Sequence, residues 1–286
     1  MKKLIILFLL FTIHCSLFTV ANAAELPKRI VSLAPSMTEI LYALGLGENI
    51  VGVTSYCDYP EEAKKKPKIG GMSNPSLEAV ISLKPDIVMM TTDGNPKEFE
   101  ERLHSLKIKT YVFRSRKLAD LPGGIREMGA SLGKKEKAEA LATEIEKAVN
   151  KFKIKNSRLS ESPEVTKLKI QNKILFIVWP EPLIVAGPGT AIDDAINLLG
   201  HENIASKAKT TYPKYSMEEV IRQSPDVIFI GRVMGQDISD VSQGLLKKIS
   251  HVPAVKNSRV FYVSDSLYRL GPRVVRGIEE LAECLK

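Results

Sequence analysis

Ser76–Met90 reads SLEAVISLKPDIVMM, and Ser216–Ile230 reads SMEEVIRQSPDVIFI. Each has a Ser, an apolar residue, a Glu, helix-like apolar positions, then Pro-Asp and a β-rich apolar run. The two are offset by 140 positions. Ser76 and Glu78 fall in the first turn of a short helix, Pro85-Asp86 breaks it, and IVMMTT continues as a strand. A second echo joins LGLGENIVG (44–52) to LLGHENIAS (198–206). A repeat of such long period decides the architecture before local detail does. The chain is expected to form two similar α/β lobes in tandem.

Reading outward from the repeat supports this. RIVSLA (29–34) is a buried strand, and MTEILYALGL is an amphipathic helix with Ser36 as expected N-cap and Gly45 and Gly47 at its end. IVGVTS, KTYVFR, KILFIVW, VIFIG and RVFYVS are further strands, alternating with helices such as PKEFEERLHSL, AIDDAINLLG and GPRVVRGIEELAECL. Strands alternating with helices make Rossmann-like lobes with mostly parallel sheets. From Gly133 to about Ser162 there is no Pro or further Gly, and Ala138, Leu141, Ala142, Ile145, Val149 and Phe152 recur at helical spacing. One helix over Lys134–Arg158 would be roughly 37 Å long, a stiff strut rather than a flexible linker. The expected division is 24–132, an inter-lobe helix within 133–162, and 163–286.

The first 23 residues, MKKLIILFLLFTIHCSLFTVANA, have two lysines, an apolar run and an Ala-Asn-Ala end, the pattern of a cleaved secretory leader. The run holds His14 and Cys15 and is shorter than the ~20 residues of a membrane span. Cleavage near Ala23 is expected, with lipid attachment at Cys15 as the rival. Loss of Lys2 and Lys3 takes the formal charge from +8 to +6. The remaining lysines are interleaved with glutamates, as on a solvated helix face, and no nucleic-acid partner is expected. Cys57 and Cys284 are expected as buried thiols, and no zinc spacing is present.

Two stretches carry a family resemblance. RIVSLAPSMTEILYALGLGENIVGVTSYCDYP and GGMSNPSLEAVISLKPDIV, taken together, resemble the periplasmic cobalamin-binding proteins. These sit in the wider group of iron-siderophore, haem and corrinoid binding proteins that serve ATP-powered importers. The resemblance covers about Pro27 to Leu285. It implies two lobes joined by a rigid helix, a non-covalent corrinoid in the cleft, no cofactor, and a monomer that docks on a permease dimer with its ATPase subunits. It implies that one exposed glutamate per lobe, Glu78 and Glu218, docks into arginine pockets of the permease, with Glu219 as the neighbouring alternative. A first-turn Glu is also favoured by the helix dipole alone, by about 0.3–1 kcal/mol.

In such a fold the ligand lies on loops after the strands. Those loops carry Tyr56, Trp179, Tyr212, Tyr215 and Tyr268, flat faces suited to a large planar ligand. Residue by residue, the resemblance implies corrin packing for Tyr56, a cleft position for Trp179 and Tyr212, and a polar rim pair, Asp265 and Arg269. Ile69 and Thr91 stand where a relative has tryptophans, which thins the aromatic cage. A ferric siderophore or haem is therefore the alternative, with Arg269 and Arg273 meeting carboxylates or a Tyr serving as axial donor. Catalysis is not expected. His104, His201 and His251 pair with no nucleophile motif, and neither GPGT (187–190) nor GLGENI is a nucleotide-binding loop. A ligand-reporting sensor is the rival of another class; a signalling domain would mark it, and none is read here.

Overall fold

The computed structural model describes residues 26–161, 171–232 and 238–286; the side chains of 154–161 and Ser239 are outside the description. The expected leader and Cys15 lie outside the described residues. The first lobe holds β1 (Ile30–Ser32), α1 (Pro35–Ala43), β2 (Ile50–Val53), α2 (Leu77–Ser82), β3 (Ile87–Thr91), α3 (Lys97–Ser105), β4 (Thr110–Phe113) and α4 (Leu121–Ser131). The helix α5 runs Lys135–Glu161. The second lobe holds β5 (Lys173–Pro180), β6 (Leu183–Val185), α6 (Ala191–Leu198), β7 (Glu202–Asn203), α7 (Met217–Gln223), β8 (Val227–Gly231), α8 (Ser239–Lys248), α9 (Pro253–Lys256), β9 (Val260–Val263) and α10 (Val274–Cys284).

The first sheet is parallel throughout, in the order β2-β1-β3-β4. The second runs β6-β5-β8-β9, with β7 beside β5. Only β6 is antiparallel, because it returns directly from β5 as a hairpin. Alternate strand residues face opposite layers. Ile174, Phe176, Val227 and Phe229 join a central cluster that also contains Ile30, Met89 and the α5 residues Ala138, Ala142 and Ile145. Leu175, Ile177, Ile228 and Ile230 face an outer layer of the second lobe, and Val31, Val88 and Met90 an outer layer of the first. The long helix therefore shares one continuous core with both sheets. Arg126 on α4 fastens it further, reaching Glu139 at 2.9 Å and Glu146 at 2.6 Å.

Three local expectations need correction. Ser36 is not the N-cap of α1; Ala34 holds that place without a side-chain bond, and Pro35 supplies the first turn. Helix α4 has no counterpart among the expected elements: its Pro-Gly-Gly start carries no helix signal. Its Leu121, Ile125 and Met128 are fully buried, so packing overrides its weak propensity. Trp179 lies within strand β5, not in a loop, and its indole N–H donates to the Glu181 carbonyl at 2.7 Å. Cys57 and Cys284 are free; Cys57 is buried, and burial pushes its thiol pKa up.

The repeated phrase plays the same part in both lobes. Ser76 and Ser216 accept N-cap bonds from Ala79 and Glu219 at 3.2 and 3.1 Å. Val80 and Val220 are fully buried. Lys84 and Ser224 both take left-handed backbone, with φ of 46° and 51°. The Asp86 carboxylate accepts from the Lys28 and Arg29 N–H groups, and Asp226 from that of Lys173, all at 2.8 Å. Pro-Asp thus pins the start of the first strand of each lobe beside the strand it precedes.

Candidate functional site

A cleft opens between the lobes where the parallel strands end, the usual ligand position in doubly wound folds. Its floor comes from the turn after β1 (Pro35, Ser36), from Thr91–Asp93 after β3, from Phe113 and Ser115 after β4, and from Tyr268–Leu270 after β9. The enclosed part holds about 100 Å³. Asn95 sets the first-lobe side: its amide N–H groups donate to the carbonyls of Leu33 at 2.9 Å and Met72 at 3.0 Å, and its oxygen accepts from Thr91 N–H at 2.8 Å. One side chain so joins three cleft loops.

The wall from the second lobe is Tyr268, whose ring meets Phe176 edge-to-face at 5.6 Å. Its hydroxyl is buried, has no hydrogen-bond partner, and its pKa is pushed well up by burial. The ring sits directly on Gly231 at the end of β8; a Cβ there would fall 1.2 Å from the Tyr268 oxygen. Gly231→Ala is therefore expected to displace Tyr268 and to destabilise the fold by about 1–3 kcal/mol. Thermal unfolding of that variant checks this; an unchanged Tm would show that Tyr268 has room to move.

Beside the cleft, five charged residues form one network across the lobes. Glu39 on α1 receives Arg273 through Nη2 at 2.6 Å and Nε at 2.9 Å. Arg269 bonds Asp58, meets Asp265 at 2.5 Å, donates to the Tyr56 carbonyl at 3.3 Å and lies 3.4 Å from Glu39. Arg273 reaches Asp265 at 3.4 Å and stacks on the Tyr59 ring at 4.5 Å from its centroid. Glu39 is 2% and Arg269 3% exposed. Burial pushes the Glu39 pKa up against the pull of Arg273 and Arg269. At Asp58 partial burial also works upward, but the bond and charge of Arg269 outweigh it and hold that carboxyl below the usual aspartate range.

The expected site residues are thus distributed unevenly. Tyr56 (38% exposed) and Tyr212 (43% exposed) offer ring surface. Tyr56 lies against Gly71. Tyr212 stands near the charges of Asp93 and Arg116 in the other lobe, and its pKa rises to about 12, by burial and then by the Asp93 charge. Trp179 is half-buried at the end of β5. Tyr215 stands apart: its hydroxyl donates to the Ile204 carbonyl at 3.2 Å and its ring packs on the outer core of the second lobe. Asp265 and Arg269 are not a solvent-facing rim pair, since both are bound into the ion network. Arg269 still borders the cleft, and its Nε is buried without a partner. Ile69 is buried in the first lobe, and Thr91 donates to the Asp93 carbonyl at 2.7 Å. Sequence reasoning missed Glu39 and Asp58. The one signal was a carboxylate amid the apolar residues of MTEILYALGL.

Glu78 on α2 and Glu218 on α7 are both exposed. The Glu218 carboxyl is held low by its own backbone N–H and by Ser216. Glu219, the alternative, is paired with Arg222 at 2.6 Å and accepts from Gln223 at 2.9 Å. Among the described residues neither Glu78 nor Glu218 has a cationic partner.

Comparison with known proteins gives the same architecture. The family described as periplasmic binding protein matches residues 30–267. A vitamin B12-binding protein of Pectobacterium carotovorum subsp. carotovorum (strain PC1) is 31% identical over 80% of this chain and 79% of its own length. An uncharacterized ABC transporter substrate-binding lipoprotein of Bacillus subtilis (strain 168) is 32% identical, over 91% of this chain and 80% of its own. Among solved structures, a periplasmic heme-binding protein from Roseiflexus sp. RS-1 superposes with a TM-score of 0.78 at 28% identity, over 90% of this chain and 97% of that one.

Proposed function

The chain belongs to the periplasmic binding protein family, and from that premise we propose that it captures a corrinoid, cobalamin or a close relative, between its lobes and delivers it to an ATP-powered importer. It works in the periplasm after removal of its leader near Ala23, and it binds its cargo without transforming it. The observation that carries the delivery half is the pair of unpaired, exposed carboxylates at equivalent places on the two lobes. Each can accept a bidentate charge-assisted pair from an arginine. Two such pairs on quasi-equivalent lobes fit a permease built as a two-fold dimer.

The corrinoid half rests on the vitamin B12-binding relative and on the chemistry of the cleft. The enclosed 100 Å³ is small beside the ~300–1,000 Å³ of ligand pockets. A large planar ligand would lie across the mouth, on the faces of Tyr56 and Tyr212. Haem wants a protein axial donor. His104 bonds Thr110, His201 lies at Asn172, and His251 is in an exposed turn, so no histidine of the described residues lines the cleft. Haem would have to take its axial donor from a tyrosine, Tyr56, Tyr212 or Tyr268, whereas a corrinoid brings axial ligands of its own and needs none. Haem is the second reading, favoured by the likeness to the heme-binding structure.

Calorimetric titration of the leaderless protein with cyanocobalamin, in parallel with haemin, tests this. Saturable one-to-one binding of cyanocobalamin at sub-micromolar concentration is expected, with quenching of Trp179. Binding of haemin alone would move the cargo to the haem branch and leave the docking reading standing.

A further inference from the structure

Of the six residues identical in the two copies of the repeated phrase, four serve the fold from within. Ser caps a helix, Val fills the core and Asp pins a strand. Two shared positions have no such internal part. The first is the glutamate. The second is an isoleucine three residues later, Ile81 on α2 and Ile221 on α7, again 140 positions apart. Both isoleucines are exposed, at 40% and 37%, and among the described residues they are the two isoleucines so placed. Residues i and i+3 are neighbours on a helix surface, so each isoleucine stands beside its glutamate.

We propose that Ile81 and Ile221 are the apolar anchors of the docking faces, each seating against an apolar patch beside the cationic pocket that takes the neighbouring glutamate. The occupant is the periplasmic surface of the importer's permease dimer, one subunit for each lobe; this rests on the docking reading above. The physical division of labour is simple. The carboxylates steer encounter and fix register through charge. Desolvated apolar contact at the patch centre supplies lifetime, and a charged rim alone would be weakened by periplasmic salt.

The two faces are alike in Glu and Ile but differ around them. The first has Ala79 and Ser82, whereas the second has the Glu219–Arg222 pair at the same positions. The shared pair is thus what two like subunits would both read, and the differing pair lies outside that shared contact.

The test compares three proteins loaded with the same ligand: wild type, Ile81→Ser with Ile221→Ser, and Glu78→Arg with Glu218→Arg. Each is measured by surface plasmon resonance on the purified cognate permease–ATPase complex in nanodiscs, at low and high salt. The isoleucine variant is expected to bind at least about fivefold more weakly per site lost, the loss that marks a residue carrying binding energy. Its dissociation should be faster, its ligand affinity and Tm unchanged, and its salt dependence retained. The glutamate variant should lose the salt-dependent part. Isoleucine variants that dock as wild type while the glutamate variant fails would overturn this inference alone. Normal docking by the glutamate variant would overturn the docking reading with it. A fall in ligand affinity or Tm in the isoleucine variant would make Ile81 and Ile221 structural and also overturn the inference.

Discussion

Charge reversal at both exposed glutamates, Glu78→Arg with Glu218→Arg, is expected to abolish ligand uptake while ligand affinity stays within about twofold of wild type. The carboxylates are exposed and have no cationic partner among the described residues, so the fold does not depend on them. Surface substitutions of this kind change stability by about 0.5 kcal/mol or less. Opposite a cationic pocket, two new arginines turn attraction into like-charge contact, which costs several kcal/mol. That is more than about a hundredfold in docking affinity. Uptake of radiolabelled cyanocobalamin by proteoliposomes carrying the importer reads the effect, with calorimetry as control. Equal losses in uptake and in ligand affinity would mean the glutamates hold the cleft, not the partner. Glu219→Arg alone should leave uptake near wild type, because Glu219 is paired with Arg222 on its own helix.

Removing Arg269 has the largest expected effect on stability. Arg269→Ala leaves Glu39, Asp58 and Asp265 with Arg273 alone. Deleting one partner of a buried ion pair costs about 3–5 kcal/mol, because a charge is left buried without compensation. For a chain of this size that is a Tm fall of roughly 6–20 °C. Arg269→Lys keeps the charge but cannot fork between Asp58 and Asp265, so an intermediate loss is expected. Adding Asp58→Asn to Arg269→Ala should recover part of the loss by removing one uncompensated carboxylate. Differential scanning calorimetry decides it. A Tm within about 2 °C of wild type for Arg269→Ala would show that water replaces the guanidinium, and that the network does not tie the lobes together.

The network also bears on mechanism. Glu39 and Asp58 belong to the first lobe, and Arg269 and Arg273 to the second. With the long helix embedded in a core shared by both lobes, the two halves have little freedom to swing. Capture and delivery are expected to proceed with small inter-lobe movement.

Much of this molecule was legible in the chain itself. The duplicated phrase pointed to two lobes, because a capped first turn and a Pro-Asp helix break are local devices whose parts lie within about ten residues of one another; the strand pins that Asp86 and Asp226 make to Lys28, Arg29 and Lys173 are long-range and were not legible. The long helix was legible from its unbroken period, and Ala138, Leu141, Ala142, Ile145, Val149 and Phe152 all pack on the central core. The exposed glutamates were named from the family resemblance, which their matching places in the repeated phrase carried onto Glu78 and Glu218. Helix α4 was hidden, because its Pro122-Gly123-Gly124 start argues against a helix until α5 packs on it.

The rest only tertiary structure decided. Glu39 and Arg273 are 234 positions apart, and Asp58 and Arg269 are 211 apart. No periodicity links such pairs. They become partners only when α1 and the segment before α10 close on each other across the cleft. The same closure bound Arg269 into the ion network at the cleft edge, and folding of the second sheet set the Tyr215 hydroxyl on the Ile204 carbonyl. Local sequence determined which elements form and which faces they present. Long-range burial of charge, whose cost falls only on the assembled molecule, determined which polar side chains are held inside and which are left to meet a partner.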